Sequence, residues 1–112
     1  MIESYGFGRM KINGVTYTSD LLVFADRVKS DWWRIEGHKL QVADLGEVLK
    51  AKPEILVVGT GYYGLMKIQQ ETERLLQTEG VRLIAEKTKK ASEIFNEMSK
   101  NHRVIGAFHL TC

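Results

Sequence analysis

The chain has 112 residues, of which 44% are hydrophobic and 27% charged, a length and balance typical of one globular domain spanning residues 1–112. A formal net charge of only +2 argues against a nucleic-acid or membrane partner. The single cysteine excludes an intramolecular disulfide. The longest apolar run, residues 55–58, is too short for a membrane span, and the N-terminal residues do not resemble a secretory signal. We therefore expect a cytoplasmic location.

The first 42 residues read as strands and turns. The pair Asn13-Gly14 readily adopts the two positive φ values of a type I′ turn, and aromatic and β-branched residues flank it on both sides. This pattern predicts a hairpin between residues 5–12 and 15–18. Further along, we expect a strand at 21–24, a turn at 26–31, an extended segment at 32–35 and another turn at 36–39.

The remaining residues alternate helical and strand patterns. A short helix is expected after Asp44 as its N-cap, with Glu47 completing a capping box and Pro53 ending the helix. Strands are expected at 54–59, 81–85 and 103–110. A second helix carries its apolar positions from Leu65 to Leu76 and ends at Gly80, and a third carries the stripe Ala91, Ile94, Phe95 and Met98.

These elements predict an α/β fold with a C-terminal βαβαβ unit whose strands run parallel. The N-terminal strands are expected as an antiparallel extension of a mixed central sheet or as a small second sheet. The residues expected in the core are Leu56, Val58, Leu75, Leu83, Ile94, Phe95, Val104 and Ile105.

The segment Gly59-Thr60-Gly61-Tyr62-Tyr63-Gly64 matches the pattern G-x-G-x-x-G between a predicted strand and a predicted helix. Glu86 lies 22 residues beyond Gly64, as the acidic residue of a dinucleotide fingerprint would. However, the chain has room for only one mononucleotide-binding half, and the two tyrosines would crowd a phosphate. The pattern thus favours either a tight turn that needs glycine or a small-anion site at a helix start, over a dinucleotide site.

Other chemistry has little support in the sequence. His109 and Cys112 have the spacing H-x-x-C, but two ligands do not make a metal site. No serine lies in a nucleophile elbow, and no spacing pairs two of the carboxylates Asp20, Asp26, Asp31 and Glu86. We predict no metal and no cofactor, and the sequence favours a protein that is not an enzyme.

The pair Trp32-Trp33 offers a possible contact surface. Neighbouring side chains of an extended segment point to opposite faces, so one indole should pack inward while the other contacts a protein partner or covers a small ligand. The alternative is that both rings pack in the core.

Several segments together resemble the adipogenesis-associated Mth-domain-containing protein family. They are the hairpin with Trp33 downstream, the strand ending in Gly59-Thr60-Gly61, the stretch from Thr88 to Phe95-Asn96, and the tail from Arg103 to Phe108-His109-Leu110-Thr111-Cys112. The resemblance covers the chain from about Tyr5 to Cys112 and is specific in order and spacing rather than in any one motif.

The resemblance implies a three-layer α/β fold and no established catalytic residue. The family includes small archaeal and bacterial proteins of unknown activity, and a mitochondrial relative is a complex I assembly factor. That role is not expected here because the chain shows no transit peptide. The family pattern maps onto Gly59, Thr60, Gly61, Thr88, Asn96 and Arg103, while Phe95 stands where many relatives have Tyr.

Two functional hypotheses follow. The first is a binding or scaffold protein that uses the outward tryptophan, the glycine turn and Arg103. The second is a small-ligand protein or enzyme with an anion held at Gly59–Gly64, where Arg103 adds donors and Thr60, Thr88 and Asn96 orient the ligand. The expected partners are therefore a protein or a small anion, and the chain is expected to be a monomer or a homodimer.

Overall fold

The computed structural model describes all 112 residues. Its strands are β1 (Ile2–Gly6), β2 (Arg9–Ile12), β3 (Val15–Tyr17), β4 (Leu21–Val23), β5 (Val28–Lys29), β6 (Lys39–Leu40), β7 (Ile55–Gly59), β8 (Lys67–Ile68), β9 (Arg82–Glu86) and β10 (Val104–Phe108). Its α-helices are α1 (Gly46–Ala51), α2 (Gln70–Thr78) and α3 (Thr88–Met98), and a 3₁₀ helix (Val42–Leu45) precedes α1. No helix has the length and apolar character that a membrane span requires.

A five-stranded mixed sheet with the order β5-β4-β10-β7-β9 forms the centre of the molecule. Strand β7 pairs in parallel with both β10 and β9, which confirms the predicted parallel βαβαβ unit. Strands β4 and β5 extend this sheet in the antiparallel direction. Strands β1, β2 and β3 form a separate antiparallel sheet, and β6 pairs with β8. Both arrangements expected for the N-terminal strands therefore occur together.

The central sheet lies between two apolar layers. On β7, Leu56 and Val58 face the layer that contains α1 and α2, whereas Ile55 and Val57 face α3 and the three-stranded sheet. Because both faces of β7 are covered, its apolar residues run without interruption. The predicted three-layer α/β fold is confirmed.

Most of the predicted core residues are buried. The confirmed ones are Leu56, Val58, Phe95, Val104 and Ile105. The prediction was wrong for Leu75, Leu83 and Ile94, which are only half-buried. Leu83 lies on β9, an edge strand, while Leu75 and Ile94 lie at the margins of the apolar faces of their helices.

The N-terminal half differs from the prediction in three places. The turn at Asn13-Gly14 is confirmed, since both residues have positive φ (48° and 82°) between β2 and β3. The single strand expected at 5–12 is instead two strands, β1 and β2, which reverse at Phe7-Gly8 with a φ of 76° at Gly8. Residues 32–35 form no strand, and the short strand β5 lies within the turn expected at 26–31.

The second helix begins later than its apolar spacing suggested. It starts at Gln70 rather than near Leu65, because the intervening amides donate to distant carbonyls. The Leu65 amide donates to Cys112 O at 2.9 Å, Met66 to Thr60 O at 3.0 Å, and Lys67 to His38 O at 2.8 Å. The G-x-G-x-x-G segment therefore leads into a loop and not into a helix.

The first helix also starts differently from the prediction. Asp44 is not the N-cap; its Oδ2 accepts the Gln41 amide at 2.8 Å, so it is the acidic partner of the capping box at the 3₁₀ helix. Glu47 instead pairs with Lys29. The predicted ends of the helices hold, because Pro53 follows α1 and Gly80 has a φ of 74° after α2.

Candidate functional site

The glycine turn lies at the carboxyl ends of the parallel strands, where open α/β sheets commonly bind ligands. Its amides, however, already have partners within the chain. Thr60 donates to Glu86 O at 2.9 Å, Gly61 to Thr88 Oγ1 at 2.9 Å and Tyr62 to Thr111 O at 2.6 Å. The segment itself leads into no helix, and although α3 begins beside it at Thr88, the Thr88 amide already donates to Gly61 O at 3.1 Å. The turn thus lacks the row of free donors on which the sequence-based anion site depends.

The glycines of this turn allow close packing. Gly61 has a φ of 111°, and a Cβ there would lie against the carbonyl of Cys112 and 2.8 Å from Cδ2 of His109. A Cβ on Gly59 would lie 2.8 Å from both the Phe108 ring and Thr88 Oγ1. Both positions therefore exclude a side chain because the C-terminal residues and α3 come so close.

Thr88 links the turn to β10. Its buried hydroxyl donates to His109 O at 2.6 Å and accepts the Gly61 amide at 2.9 Å. Thr60 donates its hydroxyl to Glu86 O at 3.1 Å. Gly59, Thr60, Gly61, Gly64 and Thr88 are thus brought together by hydrogen bonds and packing.

Asn96 and Arg103 lie away from this turn. Asn96 exchanges two hydrogen bonds with the backbone of Ile2, at 2.7 and 2.9 Å, and so ties α3 to β1. Arg103 precedes β10 at the opposite end of the parallel strands, where Nη2 donates to Lys52 O at 2.9 Å. Neither residue shares a site with Gly61.

Asn96 and Arg103 both line an open groove of about 550 Å³. It runs between the three-stranded sheet, the β4–β5 edge and the C-terminal end of α3. Most of its lining is apolar, Arg27, His102 and Arg103 supply its basic groups, and Asp26 is its acidic residue. The apolar residues are Met1, Ile12, Val15, Tyr17, Val23, Phe24, Ala25, Val28, Phe95 and Val104.

The two tryptophans have opposite environments, as predicted. Trp32 is buried, and its indole N–H donates to Asp44 O at 3.0 Å. Trp33 is 78% exposed. The alternative that both rings pack in the core is therefore wrong, and Trp33 is available as a contact surface.

A polar cluster missed by the sequence analysis consists of Asp20, Arg34 and His109. Asp20 Oδ2 lies 2.7 Å from Arg34 Nη2 and 2.7 Å from His109 Nδ1, while Oδ1 accepts the Leu110 amide at 2.7 Å. Asp20 precedes β4 and His109 follows β10, so the antiparallel pairing of these strands brings the two together. The sequence noted Asp20 and His109 separately, and only knowledge of this pairing could have joined them.

The cluster holds Asp20 in its ionised form. Burial by itself raises the pKa of Asp20, but the hydrogen bonds from His109, Leu110 and Arg34 outweigh burial and lower the pKa below its usual value. Burial, with the charge of Asp20 and the proximity of Tyr62, raises the pKa of Tyr5 to about 12, and the neutral phenol donates to Leu110 O at 2.7 Å.

Two nitrogen atoms of the cluster have no partner. An ionised carboxylate only accepts hydrogen bonds, so His109 Nδ1 carries the proton that Asp20 accepts. His109 Nε2 and Arg34 Nη1 are buried and make no hydrogen bond. Such unsatisfied groups typically cost about 1–3 kcal/mol each, so their burial needs an explanation.

Residues 2–109 match the family described as "Protein of unknown function (DUF498/DUF598)". The chain belongs to this family. Within DUF498, the match spans the glycine turn, all three residues of the polar cluster and every residue of the groove except Met1. The family description assigns no activity to any of them.

Solved structures share this DUF498 fold. A conserved hypothetical protein from Pyrococcus horikoshii is 27% identical, with coverage of 100% of this chain and 99% of that one and a TM-score of 0.88. A Bordetella parapertussis protein is 27% identical, with 97% and 93% coverage and a TM-score of 0.80. A Bordetella pertussis protein described as a Mth938-like domain is 22% identical, with 97% and 84% coverage and a TM-score of 0.69. The resemblance to the Mth-domain family is therefore confirmed.

Proposed function

We propose that this DUF498 protein is a binding protein whose ligand is a small amphipathic anion held in the groove beside Arg103. The observation that carries the proposal is the groove itself, whose volume of about 550 Å³ lies in the range of small-molecule sites. Its mostly apolar lining with a few basic groups is also typical of such sites. This proposal keeps Asn96 and Arg103 as ligand-site residues.

The chemistry of the lining favours a ligand with an apolar body and an anionic head. Val23, Phe95 and Val104 supply apolar surface from the central sheet and α3. Arg103 makes one side-chain hydrogen bond, from Nη2 to Lys52 O, and its amide and its charge lower the pKa of the nearby Glu54. Its guanidinium donors without a partner remain for a ligand. Arg27 is less available, because it pairs with Asp26 and stacks 4.0 Å from the Phe24 ring centroid.

Titration with octanoate, octyl phosphate and neutral octanol tests this proposal. We expect saturable binding of both anions by calorimetry, and Arg103→Met should weaken it about tenfold, the value of one charge-assisted hydrogen bond. Octanol binding should change little in the same variant. Arg82→Met removes an exposed cation on β9 and is the matched control.

A steric variant tests the groove independently of charge. Ala25 is exposed at the groove lining, so Ala25→Trp should block octanoate and octanol alike without disturbing the core. Absence of saturable octanoate binding, or equal weakening by Arg103→Met and Arg82→Met, would contradict the proposal.

A scaffold role is the second candidate, and the exposure of Trp33 favours it. Ile35, two residues away, is also 68% exposed, so two large apolar side chains lie on the same surface loop. Large aromatic rings are frequent at the centres of protein interfaces. A cytoplasmic location belongs to the same proposal and is supported by the single, unbridged cysteine.

A further inference from the structure

Arg34 and His109 each present a buried nitrogen without a partner. Their side chains are only 4% and 6% exposed. The unpartnered atoms are Nη1 of Arg34 and Nε2 of His109. Arg34 Nη2 lies 3.1 Å from His109 Nδ1, so the two planar groups that carry the unpartnered atoms are direct neighbours.

We propose that Arg34 Nη1 and His109 Nε2 together bind a small oxyanion, a carboxylate or a tetrahedral anion. Arg34 Nη1 can only donate a hydrogen bond. His109 Nε2 becomes a second donor when the ring takes up a proton from solvent. Two donors on neighbouring side chains, one of them on a permanently charged guanidinium, suit an anionic oxygen ligand.

The charges of the cluster fit this ligand. Asp20 and Arg34 form an ion pair at 2.7 Å, so with neutral His109 their charges cancel. An entering anion adds one negative charge, which the proton on His109 balances. The other ionisable groups near His109 are the neutral phenol of Tyr5, on the Leu110 carbonyl, the imidazole of His38, whose ring centroid lies 5.6 Å from that of His109, and Cys112, which packs beside His109 against Gly61.

The position of the site in the fold also supports a ligand. His109 follows β10 and its Cδ2 edge packs against Gly61 after β7, at the carboxyl ends of two adjacent parallel strands. The loop at 33–38, apart from Arg34, is exposed to solvent. Arg34 belongs to this loop, and its Nε and Nη2 donate hydrogen bonds to Gly37 O at 3.1 and 2.9 Å, which hold the two residues of the loop together.

Imidazole ¹H–¹⁵N correlation spectra of the wild-type protein test the proposal directly. Formate and sulfate serve as probes, with chloride added to constant ionic strength, because neither probe titrates between pH 5.5 and 8. We expect each to shift the His109 Nε2 resonance toward that of a protonated ring.

Variants separate this site from general charge effects and from the groove. Arg34→Met should weaken formate binding at least about tenfold, and Arg34→Lys should restore part of it. Arg82→Met should leave it unchanged, and the His109 Nε2 resonance itself distinguishes this site from the groove. If high millimolar formate and sulfate leave His109 unshifted in the wild-type protein, a buried water alone satisfies these atoms and the proposal is overturned. Equal weakening by Arg34→Met and Arg82→Met would also overturn it.

Discussion

At the scale of single residues, Trp32 and Trp33 show how one step along an extended backbone separates two roles. The Trp32 backbone N–H donates to Asp20 O at 2.9 Å, and its ring lies 4.8 Å from the Arg34 guanidinium. Trp32 therefore supports the loop that carries Arg34. The Trp33 ring is exposed to solvent, so it adds little to the stability of the fold.

Exchange of the two tryptophans for alanine should therefore give unequal results. Trp33→Ala should change the free energy of unfolding by less than about 0.5 kcal/mol, whereas Trp32→Ala should lower it by about 3–5 kcal/mol. Urea denaturation measures both values. Because Trp33→Ala stays folded, it also tests the scaffold role: a protein complex that survives this exchange does not use the Trp33 surface.

At the scale of elements, the end of α1 carries a local cost. Lys52 terminates the helix in the left-handed conformation, with φ 50° and ψ 63°, and its amide donates to Leu49 O at 3.2 Å. Residues with a Cβ adopt this conformation at a cost, and glycine is the usual choice at this position. Pro53 follows and prevents the helix from continuing.

Lys52→Gly should raise the free energy of unfolding by about 0.5–1 kcal/mol, because relief of the left-handed strain exceeds the added freedom of the unfolded chain. The Lys52 carbonyl, which accepts from Arg103, is kept. Lys50→Gly, inside the same helix, should lower the stability by about 1 kcal/mol. Thermal and urea unfolding measure the stability of both variants. A change of the same sign in Lys52→Gly and Lys50→Gly would contradict the strain assigned to Lys52.

At the scale of the whole molecule, the sequence pattern correctly predicted the elements that depend on contacts between residues close together in the chain. The apolar run of β7 predicted the parallel unit, and the stripe that includes Ala91 and Phe95 predicted α3. The helix expected from Leu65 failed because its amide bonds to the C-terminal segment, far away in sequence. The cluster of Asp20, Arg34 and His109 was not predictable, since no spacing rule relates residues so distant along the chain.

Asp20 joins parts of the molecule that are distant in sequence. Its carboxylate binds Arg34 in the surface loop and both His109 and the Leu110 amide after β10, while its own carbonyl accepts from Trp32. The side chain is 15% exposed, so solvent screens these interactions only weakly. Protonation of this one group therefore weakens the contact between the loop and the end of the sheet.

The stability of the protein should fall in acid through Asp20. Its pKa is lowered in the folded state, so its contribution is fully present above the unfolded-state pKa of about 3.9 and is lost as pH falls through the folded value. At pH 7, Asp20→Asn should lower the free energy of unfolding by about 3–5 kcal/mol, because it leaves Arg34 buried without its counter-ion. The difference in free energy of unfolding between wild type and Asp20→Asn, measured by urea denaturation, should narrow below pH 4.

Glu47→Gln is the control, because it breaks an exposed pair with Lys29. It should lower the free energy of unfolding only slightly, and added salt should remove that difference. A gap for Asp20→Asn that stays constant from pH 7 to pH 3 would show that Asp20 does not titrate as the cluster requires.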